Sequence, residues 1–143
     1  MKHEARTILV ALAALLAAWP SAAQSPPARK PGLWEVRQGP AGAGFATKIC
    51  MSEADAKGDF RGLRAERSGD SSCDYQRLSA SASEARYRNV CKSGGDTLTM
   101  EMHAYDIKPD SFKVDTKMSG TDFGSGTLHT EARWLGADCK GVR

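Results

Sequence analysis

The residues with most chemistry in them are Cys50, Cys73, Cys91 and Cys139. No two stand at the C-x-x-C spacing of a thioredoxin-like redox pair, and neither His103 nor His129 lies at zinc-ligand spacing from a cysteine. Four cysteines in a chain of this size read as two structural disulfides, with three possible pairings. A second set of soft donors is Met100, Met102 and Met118. Thioethers gathered in an oxidising compartment suit copper(I), but methionine as apolar filler accounts for the same letters, and inward methionines need no metal.

Other motifs carry less. "GDSS" around Ser71 has three letters in common with a serine-protease nucleophile segment, without a base oriented by a third group. "DFG" at Asp122–Gly124 lacks the nucleotide loop, strand lysine and catalytic loop that give it meaning in kinases, and reads as a glycine-rich turn. His103 and His129 fall opposite their strands' apolar residues, with no carboxylate or cysteine placed by spacing to orient them. Glu101, Asp115 and Glu131 read as solvated sheet-face residues, and no spacing marks an acid and base pair. No catalytic residue, cofactor site or metal site is therefore assigned, and the chain is not expected to be an enzyme.

The elements that must position these residues begin after residue 23. "MKHEARTILVALAALLAAWPSAAQS" has a basic start, an apolar run from Ile8 to Trp19 and a small-residue stretch. That is the pattern of a secretory signal peptide over residues 1–23, cut after Ala23. The run is too short to span a bilayer comfortably, so no stable membrane span is expected after cleavage. Of the 143 residues, 120 remain, enough for one domain. Removing Lys2, Arg6 and Glu4 turns 20 basic and 17 acidic residues into 18 and 16, a net charge of +2. So small a balance, without a basic stripe, excludes a nucleic-acid footprint.

Residues 24–31, "QSPPARKP", read as a poorly ordered, proline-rich lead-in, and residues 32–143 as a single β-rich domain. "GLWEVR" and "FATKICM" alternate as strands around the turn "GPAGAG". Ser52 with Asp55 three residues on is a variant capping box and predicts a short helix after Met51. The segment from Gly58 to Ser72 reads as irregular. If Cys73 faces Cys91 across an antiparallel pair, Tyr75 meets Asn89, Arg77 meets Tyr87 and Ser79 meets Ala85. Directly facing strand residues satisfy disulfide geometry, which pairs Cys73 with Cys91 and leaves Cys50 for Cys139.

The cleanest alternation sets Leu98, Met100, Met102 and Ala104 on one face. "SFKVDTKM" answers with Phe112, Val114, Thr116 and Met118. Keeping both apolar faces together pairs Ala104 with Val114 and Met100 with Met118, across a five-residue connection from Ile107 to Ser111. "GTDFGSG" reads as a flexible connection, and "TLHTEARWLG" supplies a last strand with Leu128, Ala132 and Trp134 inward. The expected fold is mainly β: about seven antiparallel strands in up-and-down order, forming a strongly bent sheet or small barrel with one short helix.

"KPGLWEV" after the signal, "CMSEADA", two cysteines framing a hairpin and "RWLGADC" near the C-terminus together resemble the secreted bacterial family known as domain of unknown function 3617. The resemblance rests most on Gly32, Leu33, Trp34, Glu35 and the order of the four cysteines. This chain departs from it in a short, glycine-rich link between Trp34 and Cys50. The resemblance implies an exported, periplasmic, disulfide-linked β domain of a Gram-negative bacterium, and implies no activity. The expected role is a non-catalytic binding module, holding a small apolar ligand or an envelope protein partner. Its candidate apolar groove is Trp34, Leu98, Met100, Met102, Val114, Met118 and Trp134. The alternatives are a structural or stress-related envelope protein and a copper(I)-binding protein.

Overall fold

Seven strands and one helix make up the computed structural model, which describes residues 24–40, 44–58, 60, 72–122 and 124–142. In chain order they are β1 (Gly32–Gly39), β2 (Phe45–Met51), α1 (Glu53–Lys57), β3 (Ser72–Ala80), β4 (Ala85–Ser93), β5 (Asp96–Lys108), β6 (Ser111–Gly120) and β7 (Gly124–Gly136). The expected signal segment, the tip of "GPAGAG", Ser71 and most of the segment before β3 lie outside the described residues.

All seven strands join one antiparallel sheet in the order β2-β1-β7-β6-β5-β4-β3. Strands β3 to β7 form a meander, and the β1–β2 hairpin attaches to it through β1 against β7. The sheet curls without closing, and its two edges are β2 and β3, the strands that flank α1 in sequence.

The disulfide-bearing hairpin has the expected pairing. Cys73 faces Cys91, Tyr75 faces Asn89 and Arg77 faces Tyr87. Tyr75 and Tyr87 stack with centroids 5.5 Å apart. The expected contact of Ser79 with Ala85 is not made. A bulge after Arg77 moves Ser79 to Arg86 and gives Ala80 to Ala85, because one extra residue on the outer strand shifts everything beyond it.

Between β5 and β6, Ala104 meets Val114 and Met100 meets Met118, as the apolar faces require. The five-residue connection expected there is shorter: Lys108 pairs with Ser111, leaving Pro109 and Asp110 as the turn. Asp106 takes up the difference in a bulge at φ 51°, a conformation that aspartate tolerates better than most residues. The bulge returns Ile107 to the inner face, where it is buried. "GTDFGSG" is likewise less loop than expected, since Gly124, Ser125 and Gly126 already pair with β6.

The core lies on the inner face, where Trp34, Val36, Tyr87, Ala104, Phe112, Val114 and Ala132 meet Met51, Ala56 and Phe60. Helix α1 starts as its sequence requires: the Ser52 hydroxyl accepts from the Asp55 amide at 3.1 Å and donates to the Asp55 carboxylate at 2.7 Å. So short a helix has little stability of its own and relies on what holds it to the sheet.

That role falls to the end of the lead-in, which is anchored from Arg29 onwards rather than loose along its length. The Arg29 amide donates to Ala56 O at 2.9 Å, and its guanidinium donates to Asp55 O at 2.7 Å and Gly58 O at 2.9 Å. The same guanidinium lies 4.1 Å from the Phe60 ring centroid and 5.7 Å from that of Phe112. Arg29 is only 6% exposed. Next to it, Lys30 N donates to Pro109 O, Trp34 Nε1 to Lys30 O and Trp134 Nε1 to Pro31 O. Gly32 is required where this segment turns into β1: its φ is 122°, and a Cβ there would come within 2.4 Å of Gly136 O.

Both disulfides are formed, Cys50–Cys139 with Cα atoms 5.6 Å apart and Cys73–Cys91 with Cα atoms 4.0 Å apart. They span 89 and 18 residues of sequence. By loop-closure entropy, serine pairs at Cys50 and Cys139 should cost about 4.5 kcal/mol in urea unfolding, against about 3 kcal/mol at Cys73 and Cys91. An inverted order would show that native contacts, not loop length, set the difference. Arg29→Gln should cost about 2 kcal/mol by removing two charge-assisted bonds to part-buried carbonyls. Arg29→Lys should recover less than half of it, because an ammonium cannot span two carbonyls and cover a ring together; full recovery in the urea midpoint would refute this account of α1.

Candidate functional site

Alternation gives the sheet an inner and an outer face of different chemistry. Along the inner face, cross-strand rows run Ala85–Ala104–Val114–Thr130, then Tyr87–Met102–Thr116–Leu128, then Asn89–Met100–Met118–Gly126. The first row is buried, and the last two open progressively: Met100, Met102, Met118 and Leu128 are half-buried, and Gly126 is exposed. A Cβ placed on Gly126 would meet nothing within 4 Å.

The seven expected groove residues therefore separate. Trp34, Val114 and Leu98 are buried, the first two inside the core cluster under α1 and Phe60. Trp134 is half-buried beside that core, with Lys30 Nζ 4.7 Å above its ring. Met100, Met102 and Met118 alone remain as a partly open strip, joined by Leu128. Met100 and Met118 face each other directly, and Met102 faces Thr116. Asn89 borders the strip; it is fully buried, its Nδ2 lies 3.4 Å from Cys91 Sγ, and its Oδ1 accepts no hydrogen bond among the described residues.

The outer face carries a charged network that the linear spacing hid. Asp115 faces His103 on β5 and His129 on β7, so a carboxylate does stand against both histidines. His129 Nδ1 lies 2.6 Å from Asp115 Oδ1, and Nε2 lies 3.2 Å from Glu131 Oε1. Ionised carboxylates only accept, so the ring satisfies both bonds at once as the imidazolium. The hydrogen bond to Asp115, followed by that to Glu131, raises the His129 pKa against the opposing effect of burial.

His103 reaches Glu84 at 3.3 Å and packs against Tyr105 with centroids 5.1 Å apart. Burial, reinforced by the Asp115 charge, pushes the Tyr105 hydroxyl up. Further along, Arg133 donates to Glu35 at 3.0 Å and holds that carboxyl below its usual range, and Asp106, 3.3 Å away, raises Lys113. A groove of about 440 Å³ runs over Glu35, Arg37, Lys113, Glu131 and Arg133. Among the described residues, no group of three histidine, cysteine or acidic side chains is placed to hold a metal. Of the residues singled out from sequence, Glu101 lies on this outer face between Arg88 and Lys117, and Asp122 lies in the turn before β7.

Compared with known proteins, residues 29–139 match the family model described as protein of unknown function (DUF3617). The matched span begins at the buried arginine and ends at the last cysteine. No curated protein and no solved structure matches the chain.

The His129 geometry sets a pH dependence. Its folded pKa lies above the ordinary value of about 6.5, so its stabilising effect is full below that pH and fades as pH rises through the raised folded value. The melting temperature of the parent chain should exceed that of His129→Gln most at mildly acid pH, and the gap should narrow in alkali. A gap that widens with pH would mean that the ring is bound as the neutral form.

Proposed function

The chain belongs to the DUF3617 family, and since that description carries no activity, we propose a function from the sheet's own chemistry. The protein is an exported, non-catalytic binding module that holds a small apolar or amphipathic molecule on the inner face of β4 to β7. The observation that carries this reading is the unfinished inner face: beyond Tyr87 the aromatic core gives way to Met100, Met102, Met118 and Leu128, half-buried beside the open surface of Gly126. Flexible, polarisable methionines adapt to apolar ligands of varied shape.

Export is supported by the two disulfides, which persist in oxidising compartments, and by the signal-like pattern of residues 1–23. No described helix is long and apolar enough to cross a membrane.

Titration of the oxidised mature protein with a fluorescent fatty-acid analogue should give saturable binding. Met100→Glu and Leu128→Ser should each weaken it about tenfold or more, by charging or removing the apolar floor, while Phe45→Ser on the far edge leaves it unchanged. Saturation that survives both strip variants, or no saturation at all, would remove the basis for the reading.

A further inference from the structure

The outer face divides into two halves of different electrostatic character. In the half nearer the β5–β6 turn, the ionic side chains bond one another: Arg133 and Arg37 with Glu35, Lys113 with Asp106, and His129 with Asp115 and Glu131. The next cross-strand row is Arg88–Glu101–Lys117–Thr127, followed by Val90–Thr99–Ser119–Ser125. Register sets Glu101 directly between Arg88 and Lys117, where opposite charges on facing strands ordinarily meet. None of these three side chains forms an ion pair or hydrogen bond among the described residues. They stand around a groove of about 560 Å³ whose lining includes the hydroxyls of Thr99, Ser125 and Thr127.

From this arrangement we propose that the groove binds an anionic saccharide, a hydroxyl-bearing ring that carries a carboxylate or a phosphate. Arg88 and Lys117 offer donors and positive charge to the anion, Glu101 accepts from ring hydroxyls, and the serine and threonine hydroxyls both donate and accept. A bare anion would be repelled by Glu101 and leave it unmet. A neutral sugar would leave the excess positive charge of two cations against one carboxylate unanswered. Only a ligand with an anion and hydroxyl donors on one small frame answers the whole set. The volume falls within the range of about 300–1,000 Å³ typical of small-molecule sites. The lining contains no aromatic ring, so recognition is by polar contact rather than stacking. The lining also includes Met118 and Gly126, so the groove meets the methionine strip at β6 and β7, but its charged residues are on the opposite face, and variants of Arg88, Glu101 and Lys117 test it separately from Met100 and Leu128.

The test is isothermal titration of the oxidised mature protein with a glucuronate-containing disaccharide, glucose 6-phosphate, a neutral disaccharide and inorganic phosphate. One or both anionic sugars should bind more tightly than the neutral disaccharide and inorganic phosphate, and the tighter of them identifies the anion. Arg88→Gln and Lys117→Gln should each weaken that binding about tenfold, at unchanged melting temperature. Glu101→Gln decides between a saccharide and a mere anion. Weaker binding of the sugar in that variant supports the proposal, whereas tighter binding shows that only charge is read and overturns it. No binding of either anionic sugar, equal binding of the neutral disaccharide or of inorganic phosphate, or indifference to both cation variants would also overturn it.

Discussion

The fold depends on a buried cation at its entrance. Arg29 ties the last carbonyls of a five-residue helix to the aromatic floor of the sheet, and no apolar side chain could do both. A guanidinium presents donors in its plane and a weakly hydrated face above it. The donors close the end of α1, and the face lies on Phe60. Phe60 in turn meets Phe112 edge-on at 5.0 Å and Tyr87 at 6.0 Å, and Phe112 meets Trp34 at 5.4 Å. Four rings from the chain after α1, β4, β6 and β1 thereby form one chain of contacts, with Phe60 and Phe112 under the charge.

That arrangement explains how a sheet can stay open without losing its core. Closing β2 onto β3 would make a barrel, but the chain between them folds back as α1 and Phe60 over the inner face instead. The two edges left behind are each fastened covalently: Cys50 lies on β2 and Cys73 on β3. Edge strands are the parts of a sheet most given to fraying and to pairing with other chains. Phe45, 70% exposed on β2, and Leu78, at the β3 bulge, show how much apolar surface those edges carry.

Much of this was legible in the sequence wherever two strands had to agree with each other. Cys73 against Cys91 and Met100 against Met118 followed from period-two alternation, because a slip of one residue would invert a whole strand. Alternation fails where a single residue breaks the period. The bulges at Leu78 and Asp106 have no letter that distinguishes them from their neighbours, so alternation alone misplaces Ser79 and the β5–β6 turn. Arg29 was hidden for a different reason: in a proline-rich lead-in it reads as solvated, and only the long-range meeting with Asp55, Gly58 and Phe60 buries it. The Asp115–His129 contact joins residues 14 apart. It was recoverable in principle, since pairing β6 with β7 puts them face to face. The open groove beside Arg88 and Lys117 was not, because it depends on which neighbouring charges fail to meet.

The disulfide topology also bears on how the chain matures. Cys73–Cys91 is nested inside Cys50–Cys139. A polypeptide that enters an oxidising compartment N-terminus first presents Cys50 and Cys73 to each other well before Cys139 arrives. An oxidant acting on consecutive thiols would then join the wrong pair. The native connectivity is reached only if β3 and β4 capture Cys73 early, or if a mispaired bond is later exchanged through a free thiolate. Cys139 follows β7, so the outer bond can close only after all the described strands have emerged. Its formation is thus a chemical record that the sheet from β1 to β7 has been delivered in full.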